Sequence, residues 1–357
     1  MLVDELDLPF DQSLVATHPA EPRDSARLLV FDRARETIAH HQVRDLTTLL
    51  KSGDALVINA TRVVPARVRF EREDSGGRLE GLVLPYAAGD ELSCYLKNAR
   101  RIRAGQRLVL LCDEKPVDVV FEVLGREAEV FRLRLVEGTS IDAALERAGR
   151  TPLPPYILGA RRERGEEDDA IDRSDRNWYH TVFEHAAGQR SVAAPTAGLH
   201  FTKALLEAIR RKGVEIIEIE LEVGPGTFKP VTATHLADHP MHHERFRVET
   251  EALAALEAAR ARGGRVVSVG TTSCRTLESL PQPLPGRTIE ASTDLLIAPG
   301  HVFTQVDALM TNFHLPRSTL LALVAALIGL DATRRIYHEA VEARYRFYSY
   351  GDAMLIL

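Results

Sequence analysis

The sequence predicts an α/β protein whose main α/β domain, built from both chain ends, carries an inserted all-β barrel domain. Three observations lead to this fold class. Short strand and helix patterns alternate over residues 1–61, six short apolar runs without a helix follow within 62–150, and helices and strands alternate again over 151–357. Alternating elements are typical of α/β domains, whereas serial short strands indicate a barrel or sandwich. These three ranges are the predicted domain boundaries.

The first part of the α/β domain contains two strand patterns and one helical turn. Arg27–Asp32 and Ala55–Asn59 are apolar runs of strand length, and Leu46–Lys51 has helical spacing. In the inserted domain, apolar runs broken by Gly, Asp or Pro predict six strands: Val63–Phe70, Leu79–Pro85, Leu92–Leu96, Leu108–Cys112, Val117–Leu124 and Val130–Val136.

The second part of the α/β domain begins after a helical pattern at Ile141–Ala148. A proline cluster and the strongly charged segment Arg161–Arg176 predict a boundary and a surface loop. Amphipathic patterns then predict helices at Thr202–Lys212, Thr250–Arg262, Ser318–Ile328 and Thr333–Tyr345. The β-rich runs between them are Val214–Val223, Arg265–Val269, Asp294–Ala298 and Ala353–Leu357.

Composition excludes several classes of protein. The longest apolar stretch, Leu320–Leu330, is shorter than the ~18–20 residues a membrane span needs, and Asp4 and Glu5 precede any basic residue, unlike a secretory signal. Three separated cysteines offer neither a disulfide framework nor a zinc knuckle. We therefore expect a cytoplasmic protein with no membrane partner and, because no heptad stripe is visible, a monomer. The net charge of −6 leaves a nucleic-acid partner undecided.

Four polar loops are where we expect a ligand, because ligands of α/β sheets collect beyond the carboxyl ends of strands. Glycine permits close approach of the backbone, and Thr or Ser at a helix start offers hydroxyl and N–H donors. Capping or turn formation explains any one loop, but four together favour a site. They are Pro195–His200, Gly224–Phe228, Gly270–Ser273 and Thr311–Pro316. Neither a P-loop nor a G-x-G-x-x-G motif occurs, so an ATP- or NAD-driven reaction is disfavoured.

A segment rich in possible metal ligands comprises His235, His239, His242, His243 and Glu244. The first two histidines have the i, i+4 spacing with which a helix can bind zinc. Pro240 interrupts that helix. The sequence therefore favours a polar active-site wall or a general acid/base group, and we expect no metal.

Two features indicate contact with RNA. The stretch Lys97–Arg107 contains five basic residues and no acid, which suits either a hydrated hairpin or a phosphate-backbone contact. The aromatic residues of Tyr345–Tyr350 either pack a terminal strand or form a platform on which a splayed base stacks.

A series of sequence blocks runs in order along the chain: Pro9, Arg23–Arg33, Gly53–Arg67, Pro152–Ile157, Tyr179–Phe183, Ser191–Thr202 (SVAAPTAGLHFT), Val223–Val231 (VGPGTFKPV), His239–Glu244 (HPMHHE), Gly270–Ser279 (GTTSCRTLES), Pro299–Phe303, Thr311–Thr319 (TNFHLPRST) and Tyr345–Ile356 (YRFYSYGDAMLI). On these blocks the chain resembles the S-adenosylmethionine:tRNA ribosyltransferase-isomerases of queuosine biosynthesis. Ala60 and His180 depart from the residues frequent in that family.

The resemblance implies one α/β domain with an inserted β-barrel. It also implies transfer and isomerisation of the ribosyl part of S-adenosylmethionine onto 7-aminomethyl-7-deazaguanine at the tRNA wobble position, giving epoxyqueuosine-tRNA, adenine and methionine. S-adenosylmethionine is then a co-substrate, and no bound cofactor is required.

This chemistry suggests roles for the residues of the polar loops. For proton transfer we expect His200, His243 and Glu244, because imidazole and carboxylate groups can be tuned to near-neutral pKa. For S-adenosylmethionine we expect Thr196, Gly198, Gly224, Gly226, Thr227, Thr271, Thr272 and Arg275, the last for the methionyl carboxylate. For the bases and the tRNA we expect Asn312, His314, Tyr350, Asp352, Arg100 and Arg101.

Two other functions compete with this hypothesis. An S-adenosylmethionine-dependent RNA methyltransferase would leave S-adenosylhomocysteine and never free adenine, and its glycine-rich first loop is not visible. A non-catalytic RNA-binding protein would use the region around Arg100, and its binding would be sensitive to salt and indifferent to S-adenosylmethionine.

Overall fold

The computed structural model describes residues 1–84, 89–166, 169–185, 188–224, 226 and 231–357. Its strands, in chain order, are β1 (Arg27–Asp32), β2 (Thr37–Gln42), β3 (Ala55–Asn59), β4 (Arg62–Val63), β5 (Arg67–Arg72), β6 (Arg78–Val83), β7 (Glu91–Lys97), β8 (Arg107–Cys112), β9 (Lys115–Glu127), β10 (Val130–Glu137), β11 (Arg190–Ser191), β12 (Glu215–Leu221), β13 (Glu244–Val248), β14 (Val266–Val269), β15 (Ile289–Thr293), β16 (Ala308–Asn312) and β17 (Ala353–Ile356).

The helices are α1 (Leu46–Leu49), α2 (Ile141–Ala148), α3 (Pro155–Arg164), α4 (Asp169–Trp178), α5 (Lys203–Arg211), α6 (Thr250–Ala261), α7 (Gly270–Glu278), α8 (Thr319–Ile328) and α9 (Leu330–Glu342). A 3-10 turn at Thr196–His200 precedes α5. Within the described ranges, no helix is both long and apolar enough to cross a membrane.

The large sheet has nine strands in the order β15-β13-β12-β3-β14-β16-β17-β1-β2. Its centre is parallel, because β12, β3, β14 and β16 pair side by side in the same direction. Strands β17 and β13 run antiparallel to their central neighbours β16 and β12. Both chain ends supply strands to this sheet, as the sequence predicted.

Both faces of the large sheet are buried at the central strands β3, β14 and β16, whose successive side chains point to opposite faces. In β3, Ala55 and Val57 join a core with helices α6 to α9, whereas Leu56 and Ile58 join a second core with α1 and α5. Helices on both faces account for the nearly continuous apolar runs of the central strands.

A separate sheet contains six antiparallel strands, β5 to β10, all from the predicted inserted segment. Its pairings run in the order β10-β7-β6-β5-β8-β9, and β9 also pairs with β10. Alternate residues of these strands form a core of their own, against which Ile141 and Leu145 of α2 pack. The predictions of a mixed α/β protein and of a separate all-β part are therefore confirmed. Pro85, the predicted end of one run, lies outside the described residues.

Two predictions of local structure were wrong. Segment Arg161–Arg176 is mostly helical, since it contains the end of α3 and most of α4. Its many charged residues indicated a surface loop, but one of them, Arg161, lies on a buried helix face. The strand predicted at Asp294–Ala298 lies instead at Ile289–Thr293, the outer strand of the large sheet, whose exposed side needs polar residues. The apolar side chain of Ile297 packs into the core without strand pairing.

The buried face of α3 and α4 is held by an ion pair. Arg161 donates from Nη1 to Asp175 Oδ2 (2.6 Å) and from Nη2 to Asp175 Oδ1 (2.8 Å), and both side chains are at most 1% exposed. Arg161 also donates to the carbonyl of Thr17, and Asp175 Oδ1 accepts from the Tyr350 hydroxyl at 3.0 Å. The pair therefore ties the N-terminal segment, α3, α4 and the segment before β17 together.

Replacing Asp175 with Asn should lower the free energy of unfolding by about 3–5 kcal/mol, because it leaves the Arg161 charge buried without its counter-ion. Urea unfolding measures the change. Glu207→Gln is the matched control: its partner Arg211 is 3.9 Å away and both are largely exposed, so the cost should stay below about 0.5 kcal/mol. Equal effects of the two substitutions would contradict a structural role for the buried pair.

Candidate functional site

One edge of the large sheet collects the polar loops. The four parallel central strands end there, at Leu221, Asn59, Val269 and Asn312. Because β17 and β13 run antiparallel to their neighbours, their first residues, and with them Asp352 and Glu244, lie at the same edge. The structure thus brings together three of the loops that the sequence singled out, with Gly224 of the fourth; residues 225, 227 and 228 of that loop lie outside the described ranges.

The predicted residues His200, Asn312 and Thr196 form a hydrogen-bonded cluster. The Thr196 hydroxyl donates to Asn312 Oδ1 at 3.0 Å. Asn312 Nδ2 donates to the Tyr348 carbonyl at 3.1 Å and lies 3.1 Å from His200 Nε2. Since a carbonyl can only accept, Nδ2 is the amide nitrogen, and His200 Nε2 must accept its second hydrogen. The neutral His200 ring therefore carries its proton on Nδ1.

Burial sets the charge of His200. It lowers the pKa of the imidazole from 6.5 to about 3, with the positive charges of Arg346 and Arg23 adding to the effect. The ring is therefore neutral at physiological pH and offers an N–H donor at Nδ1.

His314 is also buried, and burial lowers its pKa from 6.5 to about 3. Its Nε2 lies 2.8 Å from the Thr311 hydroxyl, and its backbone N–H donates to the Tyr337 hydroxyl at 2.8 Å. These contacts fix the turn between β16 and α8.

Helix α7 follows β14 directly, and its first six residues include polar groups that have no hydrogen-bond partner in the described part of the chain. Gly270 begins the helix with φ +84°, and a Cβ at this position would lie 3.6 Å from Ala197 in the 3-10 turn that carries His200. Thr272 Oγ1, Ser273 Oγ and Arg275 Nη2 are buried without a hydrogen-bond partner among the described residues. Buried polar atoms are normally paired, so three such atoms in one short helix are unusual.

Glu244 and Arg275 form a second buried ion pair, beside this helix N-terminus. Arg275 Nη1 donates to Glu244 Oε2 at 2.6 Å, and Arg275 Nε donates to the Leu295 carbonyl at 3.2 Å. The two side chains are 8% and 5% exposed. Glu244 Oε1 also accepts from the backbone N–H of Gly224 at 3.4 Å.

His243, predicted beside Glu244 for proton transfer, lies in a different environment. Its side chain is 72% exposed, and its Nε2 is 3.8 Å from Asp294 Oδ2. The preceding segment forms a 3-10 turn at Leu236–Asp238 rather than a longer helix. Across the ranges that the structure describes, no three side chains of the metal-binding type converge.

Glycines shape the edge at two places. A Cβ at Gly198 would lie 2.7 Å from Phe183 Cζ, and one at Gly226 would lie 2.1 Å from His242 Cδ2. A larger residue at either position would therefore displace an aromatic ring. Gly224 has open space around it. Thr227 lies outside the described residues.

Tyr350 and Asp352, predicted to contact tRNA, point inward here. Tyr350 is 1% exposed, and its ring packs edge-on against Trp178 and Tyr179. Asp352 accepts from the backbone N–H of Arg27 and Arg346 at 3.0 and 2.8 Å. In this conformation both side chains organise the segment before β17.

Arg100 and Arg101 lie elsewhere, exposed in the connection between β7 and β8 of the six-stranded sheet. Near them, Lys97 and Tyr95 help to line a cavity of about 360 Å³. Its opposite wall is the Pro152–Leu158 segment, and most of its lining is apolar.

Sequence reasoning missed several residues of the edge. Asn59 ends β3 and exchanges hydrogen bonds of 3.1 Å with the backbone of Leu221, which locks β12 to β3 at this point. Tyr348 has φ +70°, and its ring lies 4.5 Å from that of Tyr156. A polar residue at the end of an apolar strand was a usable sequence signal for Asn59. The hydroxyl groups of Tyr179, Thr181 and Tyr348 have no hydrogen-bond partner in the described part of the chain, and no feature of the sequence indicated this.

Comparisons with known proteins agree along the whole chain. A family model described as "Queuosine biosynthesis protein" matches residues 3–356. The chain is also similar to proteins named S-adenosylmethionine:tRNA ribosyltransferase-isomerase. The protein from Symbiobacterium thermophilum is 45% identical, and the match covers 100% of both chains. The protein from Methylorubrum populi is 43% identical, and the match covers 100% of this chain and 98% of the relative.

A solved structure is similar as well. The crystal structure of S-adenosylmethionine tRNA ribosyltransferase from Thermotoga maritima is 34% identical, with a TM-score of 0.55, and the match covers 99% of this chain and 100% of that one.

The two buried histidines should make stability depend on pH. Above pH 6.5 both histidines are neutral whether the chain is folded or unfolded. Below pH 6.5 the histidines of the unfolded chain become protonated, whereas in the folded protein they stay neutral down to about pH 3. When the pH falls from 7 to 5, each histidine should therefore lower the free energy of unfolding by about 2 kcal/mol. Urea unfolding at both pH values measures the loss.

His314→Gln should reduce that loss by about 2 kcal/mol. His338→Gln, at an exposed position on α9, serves as the control and should leave it unchanged. A loss of the same size in all three proteins would show that the buried histidines do not cause it.

Proposed function

Because the chain belongs to the queuosine biosynthesis protein family, we propose that it is a tRNA-modifying transferase that uses S-adenosylmethionine as co-substrate. It transfers and isomerises the ribosyl moiety onto 7-aminomethyl-7-deazaguanine at the wobble position and releases adenine and methionine. The observation that carries this proposal is the edge of the large sheet. There a neutral buried histidine lies near the start of α7, whose buried donors Thr272 Oγ1 and Arg275 Nη2 have no partner within the described ranges.

The chemistry begins at the sulfonium, which acidifies the C5′ hydrogens of S-adenosylmethionine. A base removes one of them, and the C5′–H electron pair forms a C4′=C5′ double bond as the C4′–O4′ bond breaks. The released O4′ forms a carbonyl at C1′ as the bond from C1′ to adenine breaks, and adenine takes up a proton. The substrate amine then attacks the opened, unsaturated sugar and loses a proton, and epoxide formation breaks the C5′–S bond, whose electron pair leaves with methionine. Each bond broken supplies the electron pair for the next step, so the sequence needs no external oxidant or reductant. We propose that no metal or redox cofactor takes part.

We propose that His200 assists the departure of adenine by donating a hydrogen bond, since a neutral imidazole that gave up a full proton would become an imidazolate. In the resting protein its Nε2 is occupied by Asn312, so its Nδ1–H is the group available to a departing adenine nitrogen. A neutral imidazole can act as such a donor when burial keeps its pKa low. His243, whose side chain is 72% exposed, and Glu244 stay predictions for proton transfer.

S-adenosylmethionine is proposed to lie across the loops at the edge. Thr196 and Gly198 border the His200 cluster, Thr271, Thr272 and Arg275 belong to α7, and Gly224 and Gly226 lie beside Glu244 and His242. Asn312 and His314 are proposed to set the polar environment of adenine or of the deazaguanine. Thr227 keeps its predicted role, as do Tyr350 and Asp352 at the wobble base.

The domain arrangement is part of the same proposal. We propose that the six-stranded sheet closes into a barrel domain spanning 62–150, inserted between the two parts of the α/β domain at 1–61 and 151–357. Its exposed Arg100 and Arg101 would contact tRNA phosphates, and the cavity lined by Tyr95 and Lys97 is lined also by Pro152 and Leu158 of the second part of the chain. We further propose a monomer that acts in the cytoplasm.

Incubation with S-adenosylmethionine and tRNA carrying 7-aminomethyl-7-deazaguanine should release adenine and methionine in step with epoxyqueuosine, as measured by mass spectrometry. His200→Ala should reduce turnover by at least about a hundredfold, since it removes a group that acts on the reacting atoms. His338→Ala, at the exposed position on α9, should keep full turnover. Formation of S-adenosylhomocysteine instead of adenine would favour the methyltransferase alternative.

The double variant Arg100→Ala/Arg101→Ala should raise KM for tRNA about tenfold and reduce the salt dependence of tRNA binding, with KM for S-adenosylmethionine unchanged. The matched control, Arg132→Ala/Arg134→Ala, removes two arginines of the same sheet that pair with Glu91. Identical tRNA binding by both double variants would remove Arg100 and Arg101 from the RNA interface.

A further inference from the structure

We infer that Glu244, Arg275 and the N-terminus of α7 form a subsite for the amino-acid end of S-adenosylmethionine, reading its α-ammonium and α-carboxylate together. This inference rests on the proposed function and deepens it. It assigns Glu244 to substrate recognition instead of proton transfer.

The first step is the unsatisfied guanidinium. Arg275 uses Nη1 for Glu244 and Nε for the Leu295 carbonyl, while Nη2 is buried with no acceptor in the described ranges. A buried charged donor without an acceptor is costly, so its persistence indicates an acceptor that arrives with a ligand. A guanidinium prefers a carboxylate for that role.

The second step is the direction of the side chain. Side chains of a helix tilt toward its N-terminus, so Arg275 leans back over the first turn of α7. That turn carries unpaired backbone N–H groups and the positive end of the helix dipole. Thr272, 7% exposed and also without a hydrogen-bond partner in the part of the chain described, lies in the same turn. Guanidinium, hydroxyl and helix N-terminus together favour an anion.

The third step is the opposite charge beside the anion position. Glu244 accepts from Arg275 and from the Gly224 N–H, so its carboxylate places a negative charge directly beside the guanidinium. An α-amino acid carries its ammonium and carboxylate on one carbon, so both can meet an adjacent Arg–Glu pair. The buried pair and the zwitterion are each neutral overall, which limits the electrostatic cost of burying them together.

The position of the pair fits the rest of the substrate. A Cβ built on Gly270, at the start of α7, would lie 3.6 Å from Ala197, so the start of α7 lies close to the turn that carries His200. A molecule with its amino-acid end at Arg275 would therefore extend its adenosyl end toward His200 and Asn312. The sulfonium and the C5′ carbon would lie between the two clusters.

The test measures affinity for two ligands by isothermal titration calorimetry on the full chain. Wild-type protein should bind S-adenosylmethionine at least about tenfold more tightly than decarboxylated S-adenosylmethionine, which keeps the sulfonium and the ammonium. Thr272→Val keeps the shape of the side chain and removes only the unpaired hydroxyl, so it should weaken S-adenosylmethionine binding about three- to tenfold without lowering the melting temperature.

Thr276→Val is the matched control, one turn further along α7. Its hydroxyl donates to the Thr272 carbonyl at 3.1 Å, so the substitution should affect stability slightly and leave both ligand affinities within about twofold. If the Thr272 hydroxyl had only a structural role, Thr272→Val would lower the melting temperature and leave the affinity for S-adenosylmethionine unchanged.

The charges are tested by Glu244→Gln/Arg275→Met, which removes both and so leaves no uncompensated buried charge. In this double variant the preference for S-adenosylmethionine over the decarboxylated analogue should disappear, while the tRNA affinity stays at the wild-type value. A wild-type protein without the preference, or a folded double variant that keeps it, would overturn the inference. If such a wild-type protein still released adenine with tRNA, the proposed function would stand and only the subsite would fall.

Discussion

Four parallel strands, β12, β3, β14 and β16, determine where the polar loops of the large sheet can lie. Parallel strands end at one edge, and every connection between them must cross a face of the sheet before the next strand begins. The apolar faces are thereby filled with helices, and the chemically active side chains are left for the edge. His200, Asn312, Thr272 and Arg275 come from distant parts of the sequence and meet there for this reason.

Burial gives these polar groups their properties. Removal of water lowers the pKa of His200, because the charged imidazole loses its hydration. Removal of water also requires the buried charges of Glu244 and Arg275 to pair with each other. Groups that the chain itself satisfies, such as Asn312, hold the loops in place. Thr272 Oγ1 and Arg275 Nη2, which have no hydrogen-bond partner among the described residues, are the groups that we propose meet the substrate.

Apolar runs and turn residues predicted β1, β3 and α2 at nearly their observed bounds, because local patterning alone decides such elements. The same reasoning failed for Arg161–Arg176, where a buried ion pair lets charged residues face the core. It also failed for β15, an edge strand with a polar side. The four loops of the site were visible as motifs, but the tautomer of His200, the Glu244–Arg275 pair and the inward direction of Tyr350 depend on contacts between remote segments, which a single sequence does not contain.

The most direct measurement is a crystal structure of the protein with S-adenosylmethionine bound. The account predicts density at the carboxyl edge of the large sheet, with the amino-acid end at the start of α7 and the adenine near His200. Density in the apolar cavity beside Tyr95 and Pro152–Leu158, with the edge unchanged, would contradict it.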